Sequence, residues 1–172
     1  MRHSSYCKVR RIRIISMLKN LTAELQKYKS TGAKTLAQCS EEALNFVPAP
    51  ELNSIAMIVR HLQGNLLSRF TDFLTTDGEK EWRDRSAEFR ETNYTREEVE
   101  TFWTQAWEHL EKSLAELSEA DLAATVSIKG KSMTAEAALF RTLAHVAYHV
   151  GQIVLLARMQ AEQWQWITSP RK

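Results

Sequence analysis

The sequence is poor in residues that break or staple a chain: of 172 residues, five are Gly, three are Pro and two are Cys. Few Gly and Pro mean few turns and long elements. The two cysteines, Cys7 and Cys39, stand alone without CxxC spacing. That pattern argues for reduced thiols in a cytoplasm and against a disulfide framework. No apolar stretch reaches membrane-spanning length, and Ile12 to Leu18 is too short and too interrupted to serve as the core of a signal peptide.

A one-signed charge is also missing. The net charge is +2, but Arg2, Lys8, Arg10, Arg11 and Arg13 are the only charged residues before Lys19. Removing those five from the 23 basic residues leaves 18 against 21 acidic ones, a balance of −3. The body therefore offers no electrostatic case for nucleic acid. Residues 1–13 are read as a basic extension outside the core, and residues 14–172 as a single domain, 44% hydrophobic overall and large enough for a sizeable core.

What is present is helical periodicity. Ile14, Met17, Leu18, Leu21, Leu25 and Tyr28 recur every three or four residues and predict a first helix from Ile12 to Gln38, loosened locally by Gly32. Ser40-Glu-Glu-Ala-Leu44 reads as one capped turn, and Val47-Pro-Ala-Pro50 as an extended connection. A second helix, capped at Asn53 or Ser54, runs to about Leu74 with Ile55, Ile58, Leu62, Leu66, Phe70 and Phe73 as its stripe. Beside that stripe lies a polar row of His61, Asn65, Ser68 and Asp72.

Periodicity collapses from Thr75 to Tyr94, a connection longer than adjacent antiparallel helices need. It is read as a crossover or a lid, pinned by Trp82 and Phe89. Thr95-Arg-Glu-Glu98 is a capping box that opens a third helix through about Leu117. Its histidine, His109, is assigned to the surface. Leu117-Ser-Glu-Ala-Asp-Leu122 then echoes Cys39-Ser-Glu-Glu-Ala-Leu44, which suggests two similar helical hairpins. Thr125 to Met133, with Gly130 as its turn, is a short extended excursion before Thr134 caps a last helix ending near Gln160.

That last helix carries His145 and His149, four residues apart and so on one face. A buried histidine pair costs about 1–3 kcal/mol for each polar atom left without a partner, and a shared metal satisfies both. The third donor expected is His61. Position 146 is Val, so the HExxH arrangement with its glutamate base is excluded.

Asn53-Ser-Ile-Ala-Met-Ile-Val-Arg-His-Leu-Gln-Gly-Asn65, Thr71-Asp-Phe-Leu-Thr-Thr-Asp-Gly-Glu-Lys80 and His145-Val-Ala-Tyr-His-Val-Gly-Gln-Ile153 together resemble the DinB/YfiT-like superfamily, in a bacterial branch of unknown function. The resemblance spans about Leu18 to Gln160. It implies an all-α fold, a four-helix bundle of up-down-down-up order with a long crossover between the second and third helices. It also implies a homodimer and a divalent metal, zinc or nickel first and iron or manganese next, on His61, His145 and His149.

Relatives in that superfamily include thiol-dependent S-transferases and a thiol-dependent isomerase. The reaction implied is activation of a low-molecular-weight thiol for attack on an electrophilic small molecule, because an ion on three neutral imidazoles keeps its charge and an open position. Asn65, Gln152 and Tyr148 are candidates for orienting ligands or substrate, and Arg141 for meeting a carboxylate. Two alternatives are a hydrolase using water at the same histidines and a non-catalytic helical dimer that binds a partner through Trp164 and Trp166.

Overall fold

The computed structural model describes residues 16–168. The basic extension, Cys7 and the first residues expected to be helical, Ile12 to Ile15, lie outside them. Four long helices are present: α1 (Met17–Leu36), α3 (Ile55–Phe70), α4 (Arg96–Ala115) and α5 (Ala135–Gln160). A single-turn helix, α2 (Glu41–Asn45), links α1 to α3. The fold is mostly helical rather than all-α, because β1 (Thr125–Ile128) and β2 (Lys131–Thr134) pair as an antiparallel hairpin.

Each α-helix begins where a hydroxyl can accept a backbone N–H. Ser16, Ser40, Ser54 and Thr134 each cap this way, and Thr95 with Glu98 forms the expected reciprocal box. The two echoing segments correspond in structure. Ser40 opens α2, and Ser118 opens a 3₁₀ turn, Glu119–Ala123, where the Asp121 carboxylate accepts from the Ser118 N–H and hydroxyl.

The hairpin turns where the sequence placed it. Lys129 and Gly130 have φ of 55° and 70°, a two-residue turn whose twist matches the strands. Asp77, from the long connection, clamps that turn: its carboxylate accepts from the Ser127 hydroxyl and from the backbone N–H groups of Glu79, Lys129 and Gly130.

α3 is the central helix, packed along α4 and also against α5 and α2. Nearly every residue from Ile55 to Phe70 is buried, polar ones included, as befits a helix enclosed on all sides. It ends at Phe70 rather than Leu74, because Asp72 adopts φ 50° and turns the chain, while Phe73 still reaches the core and stacks on Phe70 at 5.1 Å. Gly32 does not loosen α1. A Cβ there would lie 2.2 Å from the Trp103 indole, so the missing side chain is what lets α4 approach α1.

α5 corrects one expectation. Its 26 residues are long and apolar enough, by length and composition alone, to cross a membrane. Yet Leu139, Val146, Val150 and Ile153 are buried against the rest of the protein, and α5 packs along α1 and α3, as the core helix of a folded domain does. Trp164 also departs from expectation, since it packs half-buried against the core while Arg158 lies over the Trp166 ring.

Candidate metal centre

The polar row of α3 and the histidine face of α5 meet. The potential ligand atoms of His61, His145 and His149 all lie within 4.8 Å of one another, so the three expected residues do converge. His61 Nε2 is 3.2 Å from His145 Nε2, and His149 Nε2 is 3.1 Å from the same atom. Three nitrogens bound about 2.0–2.1 Å from one tetrahedral ion stand roughly 3.3 Å apart.

Proton positions make the convergence chemically specific. His61 Nδ1 lies 2.8 Å from a Glu88 carboxylate oxygen, which accepts only, so the ring's proton sits on Nδ1 and Nε2 is a lone pair. His149 Nδ1 donates to the Gln152 carbonyl oxygen at 2.8 Å, which leaves its Nε2 a lone pair as well. His145 stands between them with Nδ1 buried and without a hydrogen-bond partner. One neutral imidazole proton cannot satisfy two facing lone pairs and its own Nδ1. A cation among the three Nε2 atoms resolves the conflict, and on that ground the residues fit a divalent metal.

Electrostatics favour the neutral, ligating form. Burial pushes His145 down to about 3, with the neighbouring imidazoles and then Arg69 and Arg83 adding to the effect. His149 falls to about 4, again from burial first and His61 second, against the opposing hydrogen bond of Gln152. Both rings are therefore unprotonated at neutral pH.

The long connection supplies what sequence reasoning missed. Glu88 is 1% exposed and also receives two hydrogen bonds from Arg83, at 2.8 and 2.9 Å. Burial raises the carboxyl's pKa, but the hydrogen bonds from His61 and Arg83 and the Arg83 charge outweigh it and hold it below the ordinary range. Gly64 makes the room: a Cβ there would lie 2.0 Å from Glu88 Oε1. A glycine facing the polar row of α3 was the one signal in the sequence that a foreign group approaches the backbone there.

Of the two expected pins, Phe89 holds, its ring 4.8 Å from that of His61, whereas Trp82 is 58% exposed and pins nothing. Gln152 orients His149 and is itself held by the Tyr148 hydroxyl at 3.1 Å. His109 is half-buried and contacts the Thr71 hydroxyl, remote from the triad. Cys39 is buried, and that burial pushes its thiol up to about 11, so it is no nucleophile at neutral pH.

Comparison with known proteins agrees with this architecture. The model of a family described as protein of unknown function (DUF1572) matches residues 14–172. Among solved structures, a DinB-like protein from Bacillus cereus ATCC 10987 superposes with a TM-score of 0.65 at 16% identity, over 82% of this chain and 91% of that one. At that identity the likeness concerns the fold. No curated protein matches the chain.

Proposed function

Because the chain belongs to the family of proteins of unknown function DUF1572, its activity has to be read from its own site, and we propose that it is a metal-dependent enzyme with His61, His145 and His149 as ligands. The observation that carries this reading is the set of three converging Nε2 atoms, two of them fixed as lone pairs by Glu88 and Gln152. We read the four long helices as an up-down-down-up bundle in which the crossover between α3 and α4 delivers Glu88 and Arg83 to the metal site. A divalent ion bound there, zinc or nickel first and iron or manganese next, would lower the pKa of a bound water or thiol.

The chain's own groups set the conditions for that chemistry. Glu88 and Arg83 hold His61 in one tautomer, Gln152 and Tyr148 do the same for His149, and Phe89 covers the His61 ring. With the Cys39 thiol too high in pKa to ionise, the nucleophile in this reading comes from outside, as a low-molecular-weight thiol that attacks an electrophilic small molecule. Cys39, buried and free among the described residues, supports a reducing, cytoplasmic setting. Phe140, Tyr148, Leu155 and Met159, exposed along α5, support association with a second copy of the chain.

Turnover of an epoxide or an activated haloarene by the metal-loaded protein, with and without added thiol, tests the proposal. Thiol-dependent turnover that disappears in His145→Ala is expected. Turnover without thiol would instead make water the nucleophile and the protein a hydrolase, and metal binding without turnover would favour the non-catalytic reading.

A further inference from the structure

Two turns along α3 from His61 lies a buried guanidinium without a hydrogen-bonded partner. Arg69 is 6% exposed, its Nε is buried without a hydrogen-bond partner, and no hydrogen bond or ion pair joins its guanidinium to another described residue. Such a group is costly unless something pairs with it, since even partly relaxed burial of an ion costs several kcal/mol.

These residues form a pattern. His61, Asn65 and Arg69 are spaced by four on α3, and Arg141, His145 and His149 are spaced by four on α5. His61 faces His145 and His149, while the field of Arg69 reaches His145 and Arg141. The two rows therefore run in opposite directions, with three histidines at one end and two arginines at the other. Eight residues of helix separate the ends by about 12 Å.

Neighbouring acids leave Arg69 unmatched. Glu88 is committed to His61 and Arg83. Glu79 acts on Arg69 through its field; its ion pairs are with Lys129 at 3.7 Å and Arg83 at 3.8 Å, and its Oε2 is buried without a hydrogen-bond partner. Burial, then Arg141 and Arg83, push Arg69 down to about 10, the direction expected of a cation crowded by cations.

Resting on the metal-site reading above, we infer that Arg69 and Arg141 form a subsite for an oxyanion, a carboxylate or phosphate on the small molecule whose reactive atom sits at His61, His145 and His149. A guanidinium donates two parallel N–H groups to such an ion, and its pairing there supplies the partner that the folded chain lacks. Arg141, exposed on α5, is the first of the two that an entering anion meets.

The test is calorimetric titration with inorganic phosphate and, separately, with succinate, at constant ionic strength against chloride. It uses chelator-treated protein, so that neither anion can bind through a metal. Saturable binding is expected, weakened at least tenfold in Arg69→Met and several-fold in Arg141→Gln, and the tighter of the two anions identifies the group. The melting temperature of Arg69→Met without anion is expected to equal or exceed the parent's, because an unpaired buried charge has been removed. No saturable binding of either anion, or equal binding in parent, Arg69→Met and Arg141→Gln, would overturn the inference. Arg141→Gln changes an exposed residue and keeps the test valid should Arg69→Met fail to fold. Metal uptake is measured on a separate portion of each protein, repleted with metal and not treated with chelator: anion binding in a protein that takes up no metal would sink the metal-site reading alone, and normal metal uptake without anion binding would sink this one alone.

Discussion

Replacing Gly64 by Ala separates this account from ordinary helix chemistry, because the two give opposite signs. Gly64 lies in the middle of α3, where Ala should stabilise by about 0.5–1 kcal/mol. The added Cβ would fall 2.0 Å from Glu88 Oε1 and 2.8 Å from its Cδ, distances that force the carboxylate to move. That carboxylate cannot yield freely, being 1% exposed and bonded to His61 and twice to Arg83, whose side chain is 4% exposed. Displacing it takes both short bonds from the buried Arg83 and leaves only Glu79, at 3.8 Å, beside it, a loss of up to about 3–5 kcal/mol. The balance is a destabilisation of about 2–4 kcal/mol, or roughly 5–15 °C in Tm for a chain of this size. Loss of the His61 orientation should also weaken metal affinity about 10–100-fold. Gly151→Ala is the control, since a Cβ there meets nothing within 4 Å. Thermal unfolding and metal titration of both variants decide the matter. A stabilised Gly64→Ala protein with unchanged affinity would refute the role given to Glu88.

Metal-free protein should lose stability on mild acidification. His145 and His149 are held at about 3 and about 4 when folded, against about 6.5 unfolded, so below pH 6.5 the unfolded chain binds more protons. Stability is fully present above that pH and falls as pH drops toward the folded values, by up to about 1.4 kcal/mol per pH unit for each ring; denaturant melts between pH 7 and 5 check this, and a flat profile contradicts it. Asp77→Ala should free the β1–β2 turn. Hydrogen bonds from Ser127 first, then from Gly130, Glu79 and Lys129, hold the Asp77 carboxyl far below the usual range, so the clamp persists throughout the neutral region. Faster hydrogen exchange at the Lys129 and Gly130 amides is the expected readout, with α3 and α5 protected as before.

What the sequence made legible follows from period. His145 and His149 share a face because a helix repeats every 3.6 residues, and His61 joined them because it sits in a polar row flanking an apolar one. The same reasoning placed the capping residues and the Gly130 turn. Glu88 and Arg83 escaped because they lie in a connection without period, where burial depends on how the chain folds back and not on spacing. Nothing local distinguishes Glu88, which is buried, from Glu81, which is exposed. Trp82 misled for a related reason: an aromatic ring in a charged loop suggests an anchor, yet here Phe89 anchors and Trp82 faces outward. Arg69 was overlooked because the polar row drawn on α3 passed from Asn65 to Ser68 and Asp72, and an arginine near a helix C-terminus normally needs no further explanation.

The central claim is that His61, His145 and His149 hold one divalent ion. Elemental analysis of protein purified after metal repletion, set beside His61→Ala, His145→Ala and His149→Ala, tests it most directly. About one ion per chain in the parent, and a large loss in each variant at unchanged fold, is the expected result. A parent that remains metal-free after repletion, or variants that retain the ion, would contradict it.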